Sequence, residues 1–167
     1  MITNMIMLMI TLGLSTIGIS ALVKEKRRKR KQLQIAAAYE CLVRKCKLAI
    51  ECSEFLCNRY IGLDRRNKKL VLIDHCGYEK QEQCISLHEI GESRIVHLND
   101  ESQNIQFIVL ELINKRSNKP VRFCFFNKDY DSAIELPSLK RKAVHWKTKV
   151  DIHKQSGKVG LEAEYVL

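Results

Sequence analysis

The sequence predicts an α+β protein in three parts: an apolar helix, a helical stretch, then short antiparallel strands closed by an amphipathic helix. Three observations carry that expectation. Ile2–Val23 contains no charged side chain, and Lys24–Lys31 (KEKRRKRK) follows with seven cations against one carboxylate. From Tyr60 onward the apolar period falls to two, as strands require. Between Leu139 and Val150 it returns to spacings of four and three, which put one apolar stripe on a helix.

The first part reads as an anchor. Twenty-two helical residues rise roughly 33 Å at about 1.5 Å each, enough to cross a hydrocarbon core of about 30 Å. A secretory signal would begin with cations and end at a small-residue cleavage site. Residues 1–23 contain no Lys or Arg, and the first cysteine is Cys41. The cations Lys24, Lys26, Arg27, Arg28, Lys29, Arg30 and Lys31 resist translocation and keep their side cytoplasmic. The expectation is a single-pass membrane protein with Met1 outside and a cytoplasmic C-terminal domain. The 24–31 segment also attracts anionic lipid headgroups, by about 1 kcal/mol per basic residue.

Charge is uneven along the chain. The net charge is +10, and the excess sits in 24–31 and in Leu139–Lys158, leaving Gln32–Ser138 neutral overall. A neutral middle is not the footprint of a nucleic-acid-coating surface, so nucleic acid is not an expected partner. Seven cysteines is an odd number, which fits reduced thiols better than a disulfide framework.

The second part, 32–58, reads as a linker helix. Ile35, Tyr39, Leu42, Cys46, Ala49, Ser53 and Leu56 alternate in spacing between four and three. That seam either packs on its own domain or pairs with a second copy as a short coiled coil, giving a homodimer through 32–58.

The third part, 59–157, reads as the folded domain, followed by a tail at 158–167. Tyr60–Asp64 and Leu70–Asp74 flank the polar turn Arg65–Lys68 and predict a hairpin. Further strands are expected at Gln83–Leu87, Arg94–Leu98, Ile105–Ile113 and Pro120–Phe126. In Ile105–Ile113 both faces are apolar, which suits a central or sharply curved strand. Pro137 ends the extended chain and Ser138 is placed to cap a helix. Leu139, Ala143, Trp146 and Val150 form its apolar stripe, with Trp146 anchoring it to the sheet, and Lys and Arg crowd the other face.

Six or seven strands in successive hairpins, then one helix bearing a buried Trp, resemble the pleckstrin-homology-like split β-barrel. Bacterial versions of that superfold are similar in three places. Ile61-Gly62-Leu63-Asp64 with Lys69-Leu70-Val71-Leu72 resembles their opening hairpin. Cys84-Ile85-Ser86-Leu87-His88-Glu89-Ile90 resembles the run into their third strand, and Val144-His145-Trp146 their closing helix. The resemblance covers roughly 60–155. It implies a module that binds phosphoinositides, peptides or protein partners, with basic residues of the first hairpin loop holding a headgroup. Arg65, Arg66, Lys68 and Lys69 occupy that loop here, although their spacing does not reproduce the family's phosphoinositide signature. Lys140, Arg141 and Lys142 on the closing helix are the second candidate contact with lipid or phosphate.

No chemistry is legible beside this. The glycines build no phosphate loop, and neither G-x-S-x-G nor H-E-x-x-H occurs. His75, Cys76, Cys84 and His88 offer zinc donors, but neighbours in a strand point to opposite faces. A Cys–His nucleophile using Cys84 or Cys124 has no activating neighbour in the sequence. No catalytic residue, metal or cofactor is therefore expected. The function expected is a membrane-tethered binding or scaffold module engaging a protein partner or an anionic membrane surface. A regulatory subunit acting through 32–58 is the alternative, and a Cys/His metal protein or enzyme has less behind it.

Overall fold

The computed structural model describes Val23, Glu25, Lys26, residues 29–75 and residues 81–155. Helix α1 (29–46) lays one stripe on the sheet beneath it: Ile35, fully buried, with Ala38, Tyr39 and Leu42 packs on Tyr60, Val71 and Ile73. Its C-terminus is a Schellman cap. Leu48 N donates to Val43 O (3.0 Å) and Lys47 N to Arg44 O (3.3 Å), with Lys47 at φ 50 in the left-handed position usually held by glycine.

That cap corrects the expected 32–58 helix, which stops at residue 46. Cys52–Leu56 is a strand instead, β1, joined by a two-residue turn with Cys57 at φ 46 to β2 (Arg59–Asp64). The helical seam misled because Glu54 stands at an inward position of β1. Its carboxylate is held there by a partner far along the chain, the indole of Trp146 (Nε1 to Oε2, 2.8 Å).

β3 (Lys69–Asp74) and β4 (Gln81–Ser86) complete an antiparallel sheet in the order β1-β2-β3-β4. A 3-10 turn at Leu87–Glu89 redirects the chain into a second sheet, β5-β6-β7, of Ile90–Asn99, Ile105–Asn114 and Pro120–Asn127. β6 is central, as its two apolar faces require. Helix α2 (Leu136–Gln155) closes the core. Leu63, Leu70 and Leu72 of the first sheet meet Leu110, Phe123 and Phe125 of the second, with Trp146 and Val150 above them, all at 1% exposure or less.

Three further expectations fail. The strands, seven among the described residues, form two separate sheets and no closed barrel, because the corner at Ser86–Ile90 replaces a β4–β5 ladder. The transmembrane segment expected at 1–23 lies outside the described residues but for Val23, and no helix among those described is long and apolar enough to cross a membrane. Nothing described here supports a single-pass membrane protein with its domain held in the cytoplasm. Finally, Pro137 does not precede α2. Ser132 caps a 3-10 turn at Ala133–Glu135 with a capping box to Glu135, and this turn runs straight into α2. Pro137 falls in the first helical turn, where its missing N–H has no bond to lose.

One buried ion pair ties these parts together. Arg59, at the start of β2, has 0% side-chain exposure and Asp131, after β7, has 3%. Nη2 of Arg59 lies 2.6 Å from both carboxylate oxygens, and Asp131 also accepts from Asn127 N at 2.8 Å. Asp131→Asn leaves a buried cation short of its counter-charge and should cost about 3 kcal/mol. Urea unfolding checks this, and an unchanged midpoint with an unchanged slope contradicts it.

Candidate anion-binding surface

The hairpin loop and the closing helix, 70 or more residues apart in the chain, meet in space. At about 100° per residue, Lys142, His145, Lys149 and His153 fall along one side of α2, next to its buried stripe. This side borders β1, and a shallow groove of about 420 Å³ runs between them, lined by Arg141, Lys142, His145, Lys149 and Glu54. Lys149 sets its ammonium 4.7 Å over the Trp146 ring, a position a long side chain takes when its stem lies on apolar surface.

The loop lies near the C-terminal part of α2, within electrostatic reach of His153. Arg65 donates from Nη2 to Cys52 Sγ (3.0 Å) and pairs with Glu51 at 3.6 Å. Arg66 reaches the same carboxylate at 4.0 Å, and Lys68 holds a left-handed φ of 50 at the turn's end. Asp64 fixes the turn by accepting from the backbone N and side-chain Nδ2 of Asn67, at 2.9 and 2.7 Å. Burial opposes the charge on Asp64, but those bonds and one from Ala49 N outweigh it and hold its pKa below the usual range. His153 records the junction electrostatically. Burial lowers its pKa first, then Arg65, Lys68 and Lys149, with Glu51 alone pulling the other way.

The structure thus gathers Arg65, Arg66, Lys68, Arg141 and Lys142 from the predicted set. It separates two others. Lys69 is the first residue of β3 and shares the outward face of Val71 and Ile73, which α1 covers. Lys140 lies across α2 from Lys142, on the side of Lys147 and Asp151. His145, Lys149 and His153 were missed, although their spacing of four, three or four from Lys142 was visible once the helix was placed. Of the 24–31 flank, Lys26, Lys29, Arg30 and Lys31 are described and exposed; Lys29 pairs with Glu25 at 2.9 Å and Lys31 lies 5.6 Å from the Tyr130 ring centroid. Lys24, Arg27 and Arg28 lie outside the described residues.

Six cations on this surface, the five gathered ones plus Lys149, face two carboxylates, Glu51 and Glu54. Lys142 is partly neutralised by Glu54 at 2.7 Å. The remaining positive field suits phosphate or carboxylate groups, with Arg65, Arg66 and Arg141 able to offer forked donors.

The thiols and imidazoles read for other chemistry are placed differently. Burial, then contact with Cys46, pushes Cys84 up to about 11, and burial pushes Cys124 up to about 12. His75 faces Glu82 at 3.0 Å, Cys76 lies outside the described residues, and no group of metal-ligating side chains assembles among the described ones. No protein-family model, curated protein or solved structure matches the chain.

On the opposite side of α2, Asp151 staples the helix to β5. Its carboxylate accepts from Ser93 Oγ, Lys154 and Lys147, the two lysines at 2.6 Å. Burial works against that charge, but the three donors prevail and bring its pKa down to about 2. A depressed carboxyl contributes stability above the unfolded value near 4, lost as pH falls through the folded one. Asp151→Asn should therefore cost about 2 kcal/mol at neutral pH. The gap to the parent should close between about pH 4 and pH 2. Thermal melts across that range check it, and a pH-independent gap contradicts it.

Proposed function

We propose that this chain is a non-catalytic binding module of the kind the pleckstrin-homology resemblance implies, whose α2 and β2–β3 loop surface docks on anionic lipid headgroups. The observation that carries this reading is the convergence of Arg65 and Lys68 with Lys149 and His153 on one face. Cations clustered against their own repulsion suit a negative partner. Thiols pushed to about 11 and 12 argue against Cys84 or Cys124 acting as a thiolate nucleophile. The regulatory alternative through 32–58 has less behind it, since Ile35, Tyr39 and Leu42 are engaged by their own sheet.

Co-sedimentation of the full-length chain tests this, using phosphatidylcholine vesicles with and without phosphatidylserine. Anionic vesicles should bind more tightly than neutral ones, and added salt should erase the difference. Arg65→Glu with Lys149→Glu should weaken the anionic preference at least five-fold, and Lys69→Glu should not. Equal loss from all three substitutions would assign the effect to net charge and sink the site.

The pH dependence has a definite sign. Lowered pKa values keep His153 neutral in the free protein, and a neighbouring phosphate favours its charged form. Binding should tighten as pH falls below neutrality, and His153→Gln should reduce that gain. A flat profile contradicts the assignment of His153 to the surface.

A further inference from the structure

The outward face of the second sheet carries a cavity of about 520 Å³ that the basic surface does not share. Its floor is written in the strand register. Arg94, Glu111 and Arg122 stand side by side across β5, β6 and β7, and Val96 and Val109 form the next row on that face. Leu98 and Phe107 make the row after, so the floor passes from ionic to apolar over four residues, about 13 Å at roughly 3.3 Å per residue. Asp74 and Gln81 wall it from the end of the first sheet.

Glu111 makes the polar end unusual. It is 2% exposed, and its carboxylate accepts from Arg94 Nε at 2.6 Å and Arg122 Nε at 2.9 Å. One buried carboxylate therefore fixes two guanidiniums whose side chains remain 56% and 65% exposed. Each guanidinium has five donors, more than Glu111 can use. At the opposite, apolar end Leu98 is 51% exposed, a large hydrophobe left open to solvent. On the first-sheet wall the Oε1 atom of Gln81 is buried without a hydrogen-bond partner among the described residues.

We infer that this cavity binds a small amphipathic organic anion, its carboxylate on Arg94 and Arg122 and its apolar body along Val96, Val109, Phe107 and Leu98. A mostly apolar hollow of this volume with a few convergent polar groups suits a ligand of that size. The two carboxylates on the lining, Glu111 and Asp74, are buried and already accept from Arg94, Arg122 and Cys124 N. The charge left exposed to a head group is that of the two guanidiniums. Positioning by Glu111 removes the ordering cost a free arginine would carry.

Titration calorimetry of the full-length protein with sodium octanoate tests the inference, with 1-octanol and acetate as controls lacking the charge or the chain. Octanoate should bind below millimolar concentration, and both controls at least ten-fold more weakly. Arg122→Gln should weaken octanoate at least five-fold, as should Leu98→Asn, the substitution to rely on should Arg122→Gln not fold. Lys149→Glu, on the α2 surface, should leave octanoate affinity unchanged. Octanoate failing to bind, octanol binding equally well, or loss on Lys149→Glu without loss in the cavity variants would each overturn it.

Discussion

The buried pair of Arg59 and Asp131 is the constraint from which the rest of the arrangement follows. Removing two charges from water costs several kcal/mol for each ion, and only close, multiply bonded geometry offsets that. The pair supplies it with Nη2 at 2.6 Å from both oxygens, Nη1 at 3.5 Å from Cys124 Sγ, and Asn127 N on the same carboxylate. Beside it, Asp74 at the end of β3 accepts from Cys124 N of β7 at 3.0 Å. The start of β2, the ends of β3 and β7, and the chain entering α2 are thereby fixed to one another.

That fixation decides where function can sit. With its entry fixed, α2 runs over the core and lays its basic side along β1, where Trp146 meets Glu54 and the β2–β3 loop comes within reach of His153. Cations from two distant segments then share one surface. On the opposite side of α2, Lys147 and Lys154 are engaged internally, on Asp151. Two sides of one helix thus carry similar charges with different consequences: one locks the fold, the other faces outward.

Much of the domain was legible because its signals are local. Six of the strands and α2 follow from period and turn chemistry, and the two-faced apolar pattern of Ile105–Ile113 marks the central β6. What escaped depends on partners distant in sequence. Glu54 disguises β1 because its inward carboxylate answers to Trp146, and Lys47 gives no glycine signal where α1 ends. Pro137 is the stronger linear punctuation, yet the cap is Ser132, whose capping box Glu135 completes. Basic residues were visible in the chain, but which of them share a face was not. Lys69 left the loop set once strand pairing assigned it to β3, and Lys149 and His153 joined once α2 was placed. The Arg94, Glu111 and Arg122 row needed the register of three strands and had no linear signature.

The most direct test of the account is hydrogen–deuterium exchange on the full-length protein, free and with phosphatidylserine-containing vesicles. Slowed exchange confined to the β2–β3 turn, β1 and the α2 segment around Lys142–His153 is the predicted result. Protection centred on α1 or on the outward face of β5–β7, with the turn and α2 unchanged, would contradict the assignment of the anion-binding surface.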